Sequence, residues 1–107
     1  MEYLIIDGYN IINSWPELAS ISEDNLEDAR TRLLEIMANY QGYRQNKVIV
    51  VFDAHLVKGS VEKKEVYAGV DVVYTKENET ADNYIERLVH MIGKRERVRV
   101  ATSDFLE

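Results

Sequence analysis

The chain of 107 residues contains no cysteine, which removes both a disulfide framework and any thiolate-held metal. Its two histidines, His55 and His90, stand at no ligand spacing, so the nitrogen and sulfur donors that favour zinc are missing. No apolar run approaches the ~18 residues needed to cross a bilayer, and no basic-then-apolar leader opens the chain. The expectation is a cytoplasmic protein with no membrane partner. Repeats, low-complexity tracts and linkers are absent too. So is any surplus of positive charge: 13 Lys and Arg face 19 Asp and Glu, for a net charge of -6. By itself this speaks against a general nucleic-acid binder, which neutralises phosphates with a basic surface. Either nucleic acid is not the partner, or some acids hold cations at a site while basic residues cluster elsewhere. What is present, 46% hydrophobic and 30% charged residues, fits one small globular domain.

Tyr3 to Ile6 is a short apolar run closed by the turn signal Asp7-Gly8-Tyr9-Asn10, and reads as a buried strand. Trp15-Pro16 breaks regular structure. Ser20 with Glu23 resembles a capping box. Leu26, Ala29, Leu33, Ile36, Met37 and Tyr40 then recur at helical spacing as far as a stop at Gly42, with Glu27, Arg30 and Glu35 outward. Val48 to Phe52 is apolar on both faces, as inside a covered parallel sheet. After a polar connection, a third strand covers Val70 to Tyr74, with a start near Val66. Thr80 caps a second helix whose inner face is Ala81, Tyr84, Ile85, Leu88, Val89 and Ile92, with Gly93 as its stop. The basic run Lys94 to Arg99 leads into a last strand, Val98 to Thr102, ending at Ser103-Asp104. This order, β-α-β-β-α-β, predicts an α/β sheet with right-handed crossovers. No helix follows to cover the last strand. The chain is therefore expected to lack C-terminal elements of a longer domain, the alternative being self-association through the uncovered edge.

Asp7, Asp53 and Asp104 each stand at the C-terminal end of a predicted strand, where ligands of open parallel sheets bind. Glu79 and Asp82, three residues apart, share one face at the start of the second helix. Five carboxylates from four segments thus converge on one edge. Two carboxylates ~5 Å apart at an effective dielectric of about 20 repel by roughly 3 kcal/mol, so such a cluster raises some pKa values or takes up a cation. Hard ions such as Mg²⁺ or Mn²⁺ suit oxygen donors, and can activate water against a phosphodiester. Each acid has a plainer explanation. An Asp before Gly serves turns, a helix-start acidic pair complements the helix dipole, and Asp104 near the chain end is open to solvation. The joint pattern favours a site.

Four motifs in order, Ile5-Ile6-Asp7-Gly8-Tyr9-Asn10, Val51-Phe52-Asp53-Ala54, Glu79-Thr80-Ala81-Asp82 and Thr102-Ser103-Asp104, resemble the NYN family. Within it they are most similar to the YacP-like branch of bacterial endoribonucleases, related to PIN-domain nucleases. The resemblance covers residues 1–107 as one NYN/PIN-like domain. It implies a PIN-like three-layer α/β/α fold with a central, mostly parallel sheet, and metal-dependent cleavage of messenger RNA at the ribosome. Asp7, Asp53, Asp82 and Asp104 would be the catalytic metal-site carboxylates, holding Mg²⁺ or Mn²⁺, with Glu79 as a further ligand or water-orienting group. Asn10 would fix the nearby aspartate or contact a phosphate, and Ser103 would hydrogen-bond a ligating carboxylate. Family members usually continue past the last motif, and this chain stops there.

RNA phosphates need a positive counterpart. Lys58, Lys63 and Lys64 follow Asp53 in a segment that Gly59-Ser60 makes pliable, a candidate flap over substrate, or otherwise a solvated loop. Lys94, Arg95, Arg97 and Arg99 fall at the opposite end of the sheet. Tyr9 and Trp15 could stack on bases, although core packing is the expectation for Trp15. Neither histidine receives a role. Two other classes compete. A receiver-like phosphoacceptor would use Asp53 with Thr102-Ser103, but it wants an adjacent acidic pair at the first strand, where Gly8 follows Asp7, and a strand bearing a pairing Lys, which is missing. A non-catalytic RNA- or ribosome-binding module of the same fold is the other.

Overall fold

The fold is taken from a computed structural model that describes residues 1–102. Ser103 and Asp104 lie outside the described residues. The elements run β1 (Glu2–Asp7), α1 (Gly8–Ser14), α2 (Pro16–Asp24), α3 (Leu26–Arg44), β2 (Lys47–Phe52), β3 (Lys63–Tyr67), β4 (Val70–Tyr74), α4 (Ala81–Ile92) and β5 (Arg97–Ala101). They build one sheet of order β3-β4-β2-β1-β5. Every pairing is parallel except β3 on β4.

The centre of the sheet is buried on both faces because β2 and its neighbours carry apolar residues at odd and even positions alike. Along β2, Val48, Val50 and Phe52 point to one layer, with Leu33, Ala29, Ile12 and Leu18 from α1 to α3. Ile49 and Val51 point to the other, against Ala81, Tyr84 and Ile85 of α4. Val48, Val50, Val51 and Phe52 are completely buried, each contributing about 1.5–3 kcal/mol of transfer free energy. The result is the expected mixed α/β fold with helices on both faces of a mostly parallel sheet.

Two helices depart from the sequence reading. Trp15-Pro16 does not end regular structure but joins α1 to α2. The Trp15 N–H donates to Ile11 O at 3.0 Å, its carbonyl accepts from Ala19 N at 2.8 Å, and Pro16 takes the first helical position, where its missing N–H costs nothing. Trp15 itself is 40% exposed rather than in the core. Ser20 and Glu23 fall inside α2. The cap of α3 is Asn25, whose side chain accepts from Asp28 N at 3.1 Å. Gly42 stays helical, and the stop comes at Gln45 in the left-handed region (φ 58°).

The third strand is also really two. Ala68 and Gly69 both have positive φ, the requirement of a two-residue type I′ hairpin, and they fold β3 back along β4 as the antiparallel edge. Lys63 and Lys64 therefore sit in that edge strand. The preceding connection is tied down: Ser60 Oγ donates to Thr75 O, Gly59 N to a Glu77 carboxylate oxygen, and Glu77 N to Ser60 O. The segment expected to be pliable is anchored to the loop after β4.

Candidate functional site

The chain leaves β1, crosses one face through α1 to α3 to reach β2, and returns over the other face through α4 to β5, on the far side of β1. The strand order reverses between β1 and β5, and ligands of such sheets gather at the carboxyl ends beside that point. Asp7 ends β1 there, 7% exposed, with its backbone entering α1. Gly8 next to it has a packing cause: a Cβ at this position would fall on the Phe52 ring. One turn along α1, the Asn10 side-chain oxygen accepts from Thr102 Oγ at 3.0 Å, bridging β1 and β5 across the reversal.

Asp53 follows β2 directly and is held from three directions. One carboxylate oxygen accepts from His55 N at 2.9 Å, an Asx turn, and meets His55 Nδ1 in a short contact. The other accepts from Ala81 N at 3.0 Å, at the start of α4. Partial burial alone would raise its pKa. The backbone hydrogen bonds from His55 and Ala81, and the imidazole, outweigh that and hold the carboxyl below its ordinary value. Thr80 accepts from Asn83 N at 3.1 Å, so Asp53 and Thr80 together satisfy two of the donors a helix start leaves open. Thr75, completely buried, fixes the other flank. Its N–H donates to Phe52 O at 3.1 Å and its Oγ accepts from Ala54 N at 2.8 Å. The sequence reading missed His55 and Thr75. The spacing Asp-X-His was the available signal for the first. The second had none.

A cleft of about 300 Å³ joins Asp7, Asn10, Asp53 and Asp82, with Tyr9, Asn13, Thr80 and Ala81 completing its wall. Four of the predicted site residues are thus together, drawn from β1, α1, the end of β2 and the start of α4. Glu79 does not line it. Its carboxylate, expected as a metal ligand, is bound by both short contacts of the Arg87 guanidinium at 3.0 and 3.3 Å, and Arg87 also approaches Glu62. Lys63 and Lys64 form exposed ion pairs with Glu65 and Glu62. Of the three lysines proposed for substrate, Lys58 alone is in no ion pair among the described residues.

The donor set of the cleft is all oxygen, as a hard divalent ion prefers. Among the described residues, however, no three acidic or histidine side chains are grouped tightly enough to hold a metal as they stand. A larger groove of about 420 Å³ lies on the α4 face, between β4, β3 and Leu88. It runs along the middle of the strands, with Val66, Val72 and Val73 in its wall and no convergent set of acids. The smaller cleft is the one that gathers the acids at the carboxyl ends of the strands.

Among known proteins, the family model described as "YacP-like NYN domain" matches residues 4–107. YacP of Bacillus subtilis (strain 168) is 50% identical over 108 residues, covering 100% of this chain and 63% of that protein. The crystal structure of Rae1 (YacP) from Bacillus subtilis superposes with a TM-score of 0.81 at 50% identity, over 100% of this chain and 62% of that one. Its W164L mutant gives the same TM-score at 43% identity, over 98% and 60%. The chain thus spans about three fifths of the length of these relatives.

Proposed function

Because the chain belongs to the YacP-like NYN domain family, we propose that it is a metal-dependent endoribonuclease that hydrolyses RNA phosphodiester bonds in the cleft at the carboxyl edge of its sheet. Membership of the family points to nuclease-like, RNA-related function. The metal, the endonucleolytic cut, messenger RNA at the ribosome and a cytoplasmic setting are the finer parts of the proposal. No helix among the described residues is long and apolar enough to cross a membrane. The observation that carries the reading is the meeting of Asp7, Asp53 and Asp82, from three separate segments, in one cleft.

In this reading Asp7, Asp53 and Asp82 hold Mg²⁺ or Mn²⁺, joined by Asp104 from beyond the described residues. The bound ion would supply an activated water and offset charge developing on the phosphodiester. The protein's own part is preparation. The hydrogen bonds to Asp53 keep it ionised and fixed in direction. Thr102 sets the orientation of the Asn10 amide, which supports Asp7 or meets a phosphate. Glu79 is left out of the ligand set because Arg87 holds it, and Lys58 remains as a phosphate contact.

A non-catalytic RNA-binding module of the same fold is the second reading, favoured by the lack of a preassembled carboxylate group among the described residues. The receiver-like reading fits less well, since Gly8 follows Asp7 where a receiver would carry a second acid. Incubation of single-stranded RNA with Mn²⁺ separates these. The wild type should cleave, chelator should stop it, and Asp7→Asn and Asp82→Asn should lose about 100-fold or more. Equal cleavage by all three proteins rules out catalysis in this cleft.

A further inference from the structure

Arg30 lies in the second turn of α3, at a position whose helical pattern directs it to solvent. Instead it is partly buried, and its Nη1 donates to the Tyr9 hydroxyl at 3.0 Å. Tyr9 lines the carboxylate cleft. Its ring is braced by Phe52 at 5.0 Å, and Phe52 in turn stacks on Tyr74 at 5.4 Å. Arg30 is therefore joined, through one hydrogen bond, to a residue of the cleft wall that packs on Phe52.

The pairing of Arg30 differs from that of six other cations of the chain. Arg32, Lys47, Lys63, Lys64, Arg87 and Arg99 each have a carboxylate within salt-bridge distance. Arg30 has none among the described residues, and its bond to Tyr9 is its one side-chain hydrogen bond there. A guanidinium carries five N–H donors in a planar fork and is always charged. Holding it with a neutral hydroxyl fixes its direction while leaving its charge uncompensated. Such a fork matches the paired oxygens of a phosphate. Burial pushes the Tyr74 hydroxyl up, and the charge of Arg30 acts on it in the opposite sense.

We propose that Arg30, oriented by Tyr9, is a phosphate-binding residue for the RNA backbone, gripping a phosphate beside the one cut in the cleft. It supplies a cation, without a carboxylate partner among the described residues, tied by one hydrogen bond to the wall of an acidic cleft. The inference rests on the reading of the cleft as an RNA-cleaving site and adds where the strand is held.

Its test separates the two. A short fluorescein-labelled oligouridylate is titrated by anisotropy in constant Ca²⁺ over a range of KCl concentrations, with wild type, Arg30→Gln, Arg30→Lys and Arg32→Ala. Arg30→Gln removes the charge and the fork while keeping a polar side chain on the same stem, and circular dichroism checks its fold. The expected result is roughly tenfold weaker binding and a slope of log affinity on log salt smaller in magnitude by about 0.7, one single-strand phosphate contact. Arg30→Lys should retain the wild-type slope with weaker binding, because the charge stays and the fork is lost. Arg32→Ala should match the wild type. If the wild type binds and folded Arg30→Gln binds with the same affinity and slope, the phosphate role is wrong while the cleft reading stands. If the wild type binds no RNA at any salt, both fall.

Discussion

A methyl group at position 8 meets the ring that also braces the site. Phe52 is fully buried between Tyr9 and Tyr74, so it has little room to yield to a Cβ on Gly8. Gly8→Ala should destabilise the protein by about 1–3 kcal/mol, the range for overpacking a filled core, read as a lower urea midpoint at unchanged slope. An unchanged midpoint would show that Phe52 can move. Asp53 gives a second prediction. Its carboxyl is held below its ordinary value, so its share of stability is complete above an unfolded pKa of about 3.9. That share is lost as pH falls through the lower folded value. The stability gap between wild type and Asp53→Asn should accordingly be constant near neutrality and shrink in acid below that pKa. A gap that widens in acid would contradict the hydrogen-bonding described for Asp53.

Among the elements, the strongest patterns were legible. Val48 to Phe52, and the inner face of α4 from Ala81 to Ile92, lie where alternation and helical spacing put them. What failed was punctuation. Pro16 ends a helix in one context and starts one in another, and only the packing of Leu18 and Ile12 into the core decides for α2. Ala68 was a poor turn signal because alanine rarely takes positive φ, yet pairing of Tyr67 with Val70 holds it there at φ 48°. That conformation costs an L-residue about 1–2 kcal/mol. Ala68→Asn, the residue this turn prefers before Gly, should raise stability by about 0.5–1 kcal/mol. A drop in melting temperature would mean the hairpin is held by something other than its turn.

At the scale of the whole molecule, the sequence placed acids at strand ends and the fold brought those ends together. Asp7, Asp53 and Asp82 share the cleft because β1 and β2 are parallel neighbours and α4 begins above them. Glu79 lies outside the cleft wall beside a partner no local pattern reveals: Arg87, eight residues along, holds its carboxylate. Arg30 was read as outward because the helical period cannot see Tyr9 across the tertiary contact. Under the proposed function, part of the net charge of -6 belongs to the acids of the cleft, and a bound cation offsets it. Crystals of the protein grown with Mn²⁺ and measured for anomalous scattering test this directly. The prediction is a Mn²⁺ peak in the cleft bound by carboxylate oxygens of Asp7, Asp53 or Asp82. A cleft without that peak, in crystals whose Mn²⁺ binds elsewhere or not at all, would contradict the metal-dependent site.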